Sequence, residues 1–426
     1  MAITSCNFGQ IVFGINAGVG NDTVTNESTG VIIDRVWLGD GNNTYKNLGT
    51  QNGWVYSGVG TDSVDNEKTL FGSVVTGLGA DTVINGTAGH IYGGVVLSDY
   101  TTDLNGQLIS TDPTGDLNNS LTNSGIIEWR VLGGDGVDTI TNKGFINGDV
   151  RTFGGNDTVD NTLGKAIGDV WLGSGNDTFS GGATNETVHD EAGSDIYTMG
   201  AGNDTIFVEV DDGANNTYDG GAGIDTLDFS HVLTANGIIL NMASSANILV
   251  SPANLTFGAE AGGKAFNFER IIATGNADTI VGTGTADIIE GRGGADTITG
   301  GGGADKLYAG ANDGTSDTFV YNLASESTNT AAGRDVIYQF EDANDVIRFA
   351  AATFDFNGAA VGLGTANWLG VNVAFHGGAV GVGEINAVQV GGQTIVQIDT
   401  NGDKVADFSI ALDGVHNLTL SDFLIV

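Results

Sequence analysis

The sequence predicts an all-β fold: an elongated parallel β-solenoid of 19–20-residue coils, continuing into nonapeptide β-rolls and ending in a β-rich cap. Glycine supplies 70 of the 426 residues and proline only two, which favours many tight turns between short strands. A hydrophobic fraction of 40% argues against disorder. β-Branched residues, glycine and asparagine recur without a 3.6-residue stripe, so the repeats are not helical.

A G-x-G-x-D-T-U unit, in which U is apolar, recurs in the first 180 residues at spacings of 19–21, with one spacing of 38. Its aspartate position is occupied by Asp22, Asn43, Asp62, Asp81, Asn119, Asp138, Asp157 and Asp177. Such a coil accommodates two strands and two turns. The spacing of 38 predicts two coils, one of them degenerate near residue 100.

Other columns of the long coil are equally regular. A valine usually stands seven residues before the aspartate position, and an asparagine, such as Asn26 or Asn66, stands four after it. Stacked coils place like residues above one another. We therefore expect an apolar valine interior and an asparagine ladder at the corner opposite the aspartates.

From residue 177 the spacing falls mostly to nine. The positions are Glu186, Asp195, Asp204, Asn216 and Asp225 and, after a non-repetitive stretch over 231–273, Asp278, Asp287, Asp296 and Asp305. The segment GRGGADTITGGGGADKLYAG fits the nonapeptide G-G-x-G-x-D-x-U-x. Two nonapeptides complete one coil, so turns on the same side of this roll lie 18 residues apart.

The charge points to bound cations. The chain has 52 acidic and 14 basic residues, a net charge of −38, which disfavours nucleic acid and anionic membranes as partners. Glycines in G-x-G-x-D can turn carbonyl oxygens toward one point, and the aspartate adds a carboxylate. Such oxygen ligands favour Ca²⁺ over Mg²⁺ or zinc. The predicted calcium ligands are Asp22, Asp62, Asp81, Asp138, Asp157, Asp177, Asp195, Asp204, Asp225, Asp278, Asp287, Asp296 and Asp305.

We infer a ladder of calcium sites, one rung per coil, down one edge of the N-terminal solenoid, and two qualifications apply to it. Asn43 and Asn119 lack a carboxylate, so their rungs should be weak or empty. The alternative is that the aspartates cap β-turns without metal.

The remaining composition limits other chemistry. Cys6 is the single cysteine, which excludes an intramolecular disulfide and a thiolate zinc site. The start, MAITSCNFGQIVFG, lacks the features of a signal peptide, and no apolar run is long enough to span a membrane. We expect a cytosolic protein, or export by a route that does not read the N-terminus.

Residues 177–225 and 274–319 resemble the repeats-in-toxin (RTX) calcium β-rolls of type I secreted bacterial proteins, and FNFERIIATGNADTIVGTG (266–284) is similar to the sequence that precedes such rolls. Residues 319–426 resemble the C-terminal domain of serralysin-type metalloproteases, which implies a cap with an uncleaved type I export signal. None of the five histidines is followed by glutamate, so the H-E-x-x-H zinc site of that family is missing and proteolysis is not implied.

Two further features leave alternatives open. Asp399, Asn401, Asp403 and Asp407 have an EF-hand-like spacing, but Ile410 replaces the final glutamate, so a calcium site and a plain turn are both open. The column six before the aspartate holds Trp37, Tyr56, Val75, Leu132, Arg151 and Trp171. It should point outward, where its aromatics could stack on sugars, pack on another subunit or simply be surface residues.

We predict five segments: a long-coil solenoid (1–181, with a degenerate coil or insertion near 98–118), a first RTX β-roll (182–230), a connecting segment (231–273), a second β-roll (274–320) and a C-terminal capping and type I secretion domain (321–426).

The predicted function is that of a secreted calcium-binding structural protein, without enzymatic activity, that folds on Ca²⁺ outside the cell. Its partners are expected to be further copies of itself, in a surface layer, filament or biofilm matrix, and the type I secretion apparatus. The first coil has few of the prolines or lysines that usually block pairing at exposed strand edges, which favours association between copies. The alternatives are an adhesin that binds cell-surface polysaccharide and a polysaccharide lyase or epimerase on a β-helix flank.

Overall fold

The computed structural model describes residues 4–98, 100–102, 108–111, 117–209, 215–232, 237–243, 248–250, 263–310, 314–350, 354, 367–375 and 384–426. The chain divides into two units, 1–225 and 226–426. Over these residues the structure is β throughout, apart from a 3-10 turn at Leu420–Asp422, which confirms the predicted class. The described residues include no helix with the length and apolar character needed to cross a bilayer.

The first unit is a parallel solenoid with three faces, each built from the same strand of successive coils. Face A contains Thr4–Asn7, Thr23–Asn26, Thr44–Asn47, Ser63–Asn66, Thr82–Asn85, Ser120–Asn123, Thr139–Asn142, Thr158–Asp160, Thr178–Ser180, Ile196–Thr198 and Thr217–Asp219. Face B contains Gln10–Ile11, Val31–Ile32, Thr50–Gln51, Thr69–Leu70, His90–Ile91, Ile126–Ile127 and Phe145–Ile146. Face C contains Ile15–Asn16, Val36–Trp37, Val55–Tyr56, Val74–Val75, Val95–Val96, Val131–Gly134, Val150–Phe153, Val170–Trp171, Thr187–Asp190 and Thr205–Val208.

The long coils therefore have three strands, and the predicted two-strand coil is wrong. The strands of face B have only two residues, such as Val31–Ile32 and Thr50–Gln51. They connect faces A and C through corners made by short turns, where glycine and asparagine are favoured. Face B ends at Phe145–Ile146, and later coils alternate between faces A and C. The shorter coil follows from the nine-residue unit, which has room for one strand and one turn.

The spacing of 38 residues is one coil with an insertion, so the predicted degenerate coil is wrong. Thr82–Asn85 pairs directly with Ser120–Asn123, and Val95–Val96 pairs directly with Val131–Leu132. Part of the insertion is an antiparallel hairpin, Tyr100–Thr102 with Leu108–Thr111. Residues 99, 103–107 and 112–116 of the predicted insertion lie outside the described residues.

The core of the first unit contains the columns expected from the sequence. Val24, Val64 and Val83 of face A and Val36 and Val55 of face C are fully buried. The asparagine ladder is also confirmed, because each side-chain amide donates to the next side-chain oxygen at 2.8–2.9 Å. Its members are Asn7, Asn26, Asn47, Asn66, Asn85, Asn123, Asn142 and Asn161. The ladder and the aspartates flank opposite ends of face A.

The outward column was predicted correctly in direction but not in exposure. Trp37 is 45% exposed, whereas Val75 and Leu132 are only 2% exposed. Val75 and Leu132 form a second apolar cluster with Val96, against which Tyr56 and other large side chains pack. The column is therefore not a continuous exposed aromatic surface.

The second unit has two parallel rows of strands and an antiparallel sheet. One row is Thr226–Asp228, Arg270–Ile272, Ile288–Glu290, Lys306–Tyr308, Val336–Tyr338 and Phe408–Asp413. The other is Ile239–Asn241, Thr279–Val281, Thr297–Thr299, Thr318–Tyr321, Val346–Phe349 and Phe423–Ile425, with Ile248–Val250 antiparallel to its first strand. Glu384–Val390, Gln393–Asp399 and Phe408–Asp413 form the antiparallel sheet, Asn367–Val371 pairs with Glu384–Val390, and Lys264–Phe266 is a further strand.

The five segment boundaries remain a prediction. Strand pairing continues across residue 320, because Lys306–Tyr308 pairs with Val336–Tyr338. Residues 233–236, 244–247 and 251–262 of the connecting segment, and His376, lie outside the described residues.

Candidate calcium sites

The aspartates of the repeat stack into rows in which each backbone N–H donates to the Oδ1 atom of the next member, at 2.7–3.2 Å. The first row is Asp22, Asn43, Asp62, Asp81, Asn119, Asp138, Asp157, Asp177, Asp195 and Asn216, and the second is Glu186, Asp204 and Asp225. The third is Asp278, Asp296, Asp317 and Asp345, and the fourth is Asp287, Asp305 and Asp335. The predicted 18-residue step is confirmed between Asp278 and Asp296.

Glycine is favoured before many of these aspartates because coils stack backbone on backbone. Gly173 and Gly175 have φ of 90° and 146°, in the left-handed region that side chains disfavour. A Cβ atom on Gly175 would lie 1.5 Å from the carbonyl oxygen of Gly155 in the preceding coil. The G-x-G spacing therefore allows the turns of neighbouring coils to lie in direct contact.

The residue four before the aspartate, here called position −4, separates two kinds of turn. In open turns this residue has a positive φ: Gly18, Gly77, Phe153, Gly173, Gly200, Gly221, Arg292 and Gly301, which precede Asp22, Asp81, Asp157, Asp177, Asp204, Asp225, Asp296 and Asp305. In closed turns its N–H donates to the aspartate Oδ2 atom at 2.6–3.0 Å: Gly134 to Asp138, Thr274 to Asp278, Thr283 to Asp287 and Glu341 to Asp345. A closed turn satisfies its carboxylate with its own backbone.

Four of the open turns leave a carboxylate oxygen without a donor. Within the described residues, the Oδ2 atoms of Asp157, Asp177, Asp204 and Asp305 are buried and accept no hydrogen bond. Burial raises the pKa of Asp177 to about 7 and that of Asp305 to about 8. A buried anionic oxygen without a partner costs several kcal/mol. A cation held at that oxygen removes the cost.

Asn43 shows what faces the second side-chain atom of an open turn. Gly39 has φ of 80°, and the Asn43 Nδ2 atom donates to the carbonyl oxygens of Gly39 and Gly41, both at 2.9 Å. Gly173 and Gly175 before Asp177 have similar φ values, 90° and 146°, so we expect their carbonyl oxygens to face the carboxylate in the same way. Three converging oxygens with no hydrogen among them repel one another, and a hard cation such as Ca²⁺ relieves the repulsion. The amide of Asn43 occupies this place instead, and the weak or empty rung at this position stays a prediction.

Two open turns keep the left-handed conformation without glycine. Phe153 has φ of 71° and Arg292 has φ of 74°. A left-handed conformation costs a non-glycine residue roughly 1–2 kcal/mol, and such strain concentrates at functional positions. The conformation of position −4 is thus maintained where the sequence disfavours it.

Some predicted ligands belong to neither kind of turn. Asp62 has a buried Oδ2 atom that accepts no hydrogen bond within the described residues, but Gly58 at its position −4 does not have a positive φ. The Oδ2 atom of Asp195 accepts a hydrogen bond from the Tyr197 hydroxyl at 3.3 Å. Asn119 in the first row has an amide in place of a carboxylate, as Asn43 does, and its Oδ1 atom accepts the Asp81 N–H at 2.8 Å.

Sequence analysis missed three members of the rows. Asp317, Asp335 and Asp345 continue the third and fourth rows beyond the last recognised nonapeptide. Asp335 is fully buried, and burial raises its pKa to about 7. The signal was present, since D-T-F-V, D-V-I-Y and D-V-I-R all match D-x-U-x, but intervening loops hide the period.

The EF-hand-like segment forms the turn between Gln393–Asp399 and Phe408–Asp413. The Asp399 carboxylate accepts N–H groups of Asn401, Gly402 and Lys404 at 2.6–3.2 Å. The Asp407 carboxylate accepts the Thr400 N–H at 2.8 Å and the Asn401 amide at 3.1 Å, while the Asp403 Oδ1 atom accepts the Val405 N–H. Backbone donors thus satisfy this turn, and its calcium site stays a prediction.

The oxygen atoms available in these turns suit a calcium ion whose ligands come mainly from the backbone. In the described parts of the chain, no group of three or more His, Cys, Asp or Glu side chains converges as a metal cage. In an open turn we instead expect one carboxylate and backbone carbonyl oxygens as the ligands. Loose all-oxygen coordination of this kind is typical of Ca²⁺.

The match to a protein-family profile agrees with this chemistry. The profile of the RTX calcium-binding nonapeptide repeat family matches residues 171–206, 272–307 and 281–315. The R3 subunit of AlgE6, a mannuronan C5-epimerase from Azotobacter vinelandii, is 23% identical over 35% of this chain and 78% of its own, with a TM-score of 0.22. The extracellular lipase LipA of Serratia marcescens is 14% identical over 64% of this chain and 45% of its own, with a TM-score of 0.21. No curated protein matches the sequence. The repeats bind several Ca²⁺ ions, and over these residues the chain is an RTX calcium-binding β-roll protein.

Proposed function

We propose that the protein is an extracellular structural protein without enzymatic activity that folds when calcium fills its open turns and then assembles into a surface layer, filament or biofilm matrix. The observation that carries the proposal is the set of buried carboxylate oxygens without donors, at Asp157, Asp177, Asp204 and Asp305. The folded chain without cations is penalised at each of them.

Calcium concentration then determines where the chain folds. Cytosolic free calcium is too low to fill weak sites, whereas extracellular sites with affinities of about 10⁻⁴–10⁻³ M are filled outside the cell. Ions that bind only the folded chain add their binding free energy to folding. We propose that residues 321–426 act as the cap and type I export signal, so that the chain leaves the cell unfolded.

Stacked side chains support a structural rather than a catalytic flank. The Arg151 guanidinium lies 4.2 Å from the centre of the Trp171 ring, and the Lys165 ammonium lies 5.4 Å from the centre of the Phe145 ring. Cations packed over aromatic rings in adjacent coils stabilise the stacking of those coils. The Arg151 Nη2 atom also lies 3.7 Å from the Asp149 carboxylate, so an assay for polysaccharide cleavage or epimerisation is the test of the enzyme alternative.

The packing of the aromatics argues against the polysaccharide-binding alternative. The rings of Trp37 and Tyr56 lie 5.4 Å apart at 30°, and those of Trp54 and Tyr56 lie 5.6 Å apart at 16°. Rings stacked on one another cover the faces that a sugar would contact.

A calcium titration tests the proposal. The chelated protein is brought to 10 mM Ca²⁺ or, as a control, 10 mM Mg²⁺, while circular dichroism reports folding and light scattering reports mass. We expect β-structure followed by large assemblies with Ca²⁺ only, reversed by chelator. A folded monomer that grows no further would contradict assembly, and equal folding with Mg²⁺ would contradict the calcium mechanism.

A further inference from the structure

The first coil of the solenoid presents an open strand edge. Thr4–Asn7 and Gln10–Ile11 are the terminal strands of faces A and B, and Ile15–Asn16 pairs with Val36–Trp37. Within the described residues, each of the three pairs on one side only. The Asn7 carbonyl accepts the Glu27 N–H, so the alternation of a parallel ladder turns the N–H and C=O groups of Thr4 and Cys6 toward the open side.

This edge has no charge in a strongly acidic protein. Residues 4–16, TSCNFGQIVFGIN, contain no Asp, Glu, Lys, Arg or His, whereas the whole chain has a net charge of −38. Phe8, Val12 and Phe13 of this coil are 68%, 50% and 92% exposed. Two copies of so acidic a chain repel each other over most of their surface. The first coil is a place where they can approach without that repulsion.

The edge also lacks the usual protection against pairing. Natural edge strands carry lysine, proline, an inward charge or a bulge. The strands Thr4–Asn7, Gln10–Ile11 and Ile15–Asn16 contain no lysine, proline or charged residue, and their pairing with the second coil keeps a regular register. The exposed apolar side chains of Phe8 and Phe13 in this coil would favour burial against another protein surface.

We infer that two copies of the chain join head to head through their first coils, related by a two-fold axis perpendicular to face A. This inference rests on the proposed assembly and names its first contact. With this axis, Thr4–Asn7 pairs antiparallel with Thr4–Asn7 of the second copy. Face B of one copy then adjoins face C of the other. Gln10–Ile11 of each copy then lies against Ile15–Asn16 of the other. Such an isologous contact is closed, so it forms a dimer and exposes no further edge of its own.

The register of this pairing is restricted. Thr4 and Cys6 point outward and Ser5 aligns with the buried Val24. Residues directly opposite each other in an antiparallel pair point to the same face of the sheet. The two-fold axis must therefore pass between the two copies of one residue, so that this residue lies opposite itself, and not between two successive residues. Passing through Cys6, it places the two cysteines opposite each other, about 5.5 Å apart at Cα. Passing through Ser5, it places them diagonally, about 7–8 Å apart.

Mass and cross-linking test the dimer. At a protein concentration below the onset of large assemblies, the calcium-loaded chain under reductant should elute at twice its mass of 43.4 kDa, and Phe13→Asp should reduce it to monomer. Leu163→Asp is the matched control, because Leu163 is 68% exposed outside the first coil, and it should leave the dimer intact. Cys6→Pro removes an outward N–H that the ladder does not use, and it should also give monomer. Circular dichroism checks that each variant folds with calcium.

The cysteines provide an independent readout. Oxidation, or a thiol cross-linker of about 8 Å, should link wild-type dimers through Cys6 and fail to link Phe13→Asp. A wild-type monomer in calcium, or a Phe13→Asp dimer, would overturn the inference. Large assemblies that form equally well with Phe13→Asp would refute this contact and leave the proposed assembly standing. A dimer that never grows would refute the array and leave the contact standing.

Discussion

Replacing Asp177 by asparagine should remove calcium from its rung and yet stabilise the calcium-free chain. The folded Asp177 carboxyl has its pKa raised from 3.8 to about 7 by burial, and its Oδ2 atom has no donor within the described residues. At about 1.4 kcal/mol per pH unit, this shift corresponds to roughly 4 kcal/mol of lost stability near neutral pH. Asparagine removes the charge and supplies an N–H₂ group, as Asn43 does in the same row.

We therefore expect Asp177→Asn to raise the free energy of unfolding without calcium by roughly 2–4 kcal/mol. The control is Asp138→Asn in the same row. Its two carboxylate oxygens accept the Asn119 and Gly134 N–H groups at 3.2 and 2.9 Å, so an amide must place its N–H₂ group against one of them. This variant should lose roughly 1–3 kcal/mol and retain its calcium stoichiometry.

Urea unfolding in chelator measures both stabilities, and equilibrium dialysis with elemental analysis counts the ions. A triple Asn variant at Asp177, Asp204 and Asp305, compared with a triple Asn variant at Asp138, Asp278 and Asp287, enlarges the difference in count. The reasoning fails if Asp177→Asn destabilises the calcium-free chain, or if both triple variants lose calcium equally.

Three further predictions concern the same structure. Burial raises the pKa of Asp157 to about 8 and that of Asp204 to about 6, so protonation of these carboxyls removes a cost that the folded state carries. The calcium-free chain should therefore gain β-structure as the pH falls from 8 to 5. Circular dichroism in calcium-free buffer measures this, and no gain would contradict it. Arg292→Gly should relieve left-handed strain and raise stability in calcium by roughly 1 kcal/mol, measured by urea unfolding, and a loss would argue that the side chain itself holds the turn. Asn66→Ala removes the side-chain hydrogen bonds to Asn47 and Asn85 and should lower the free energy of unfolding in calcium by roughly 1–3 kcal/mol. Asn52 is exposed, so Asn52→Ala should lower it little. Equal losses in the two variants would refute the stabilising role of the asparagine ladder.

The repeat pattern predicted the solenoid because stacking requires identical columns. The buried Val64, the Asn66 ladder and the 18-residue step from Asp278 to Asp296 all follow from spacing. The number of faces did not follow, since a two-residue strand such as Val31–Ile32 resembles a turn in sequence. The spacing of 38 could not distinguish an inserted hairpin from a degenerate coil.

The kind of turn was the part of the site that sequence could not predict. Glycine at position −4 occurs in an open turn before Asp177 and in a closed turn before Asp138. Phe153 and Arg292 adopt the left-handed conformation although neither residue type favours it, so residue type alone does not identify an open turn. Asp317, Asp335 and Asp345 were missed because spacings of 21, 30 and 28 residues from the preceding row members conceal the period.

The measurement that tests the central claim most directly is anomalous X-ray diffraction from crystals grown with calcium. The account predicts calcium peaks beside the Oδ2 atoms of Asp157, Asp177, Asp204 and Asp305, and no peak beside Asp138, Asp278 or Asp287, whose turns are closed by backbone N–H groups. Peaks beside the closed turns, or open turns without calcium, would contradict the claim that the conformation of position −4 selects the ion.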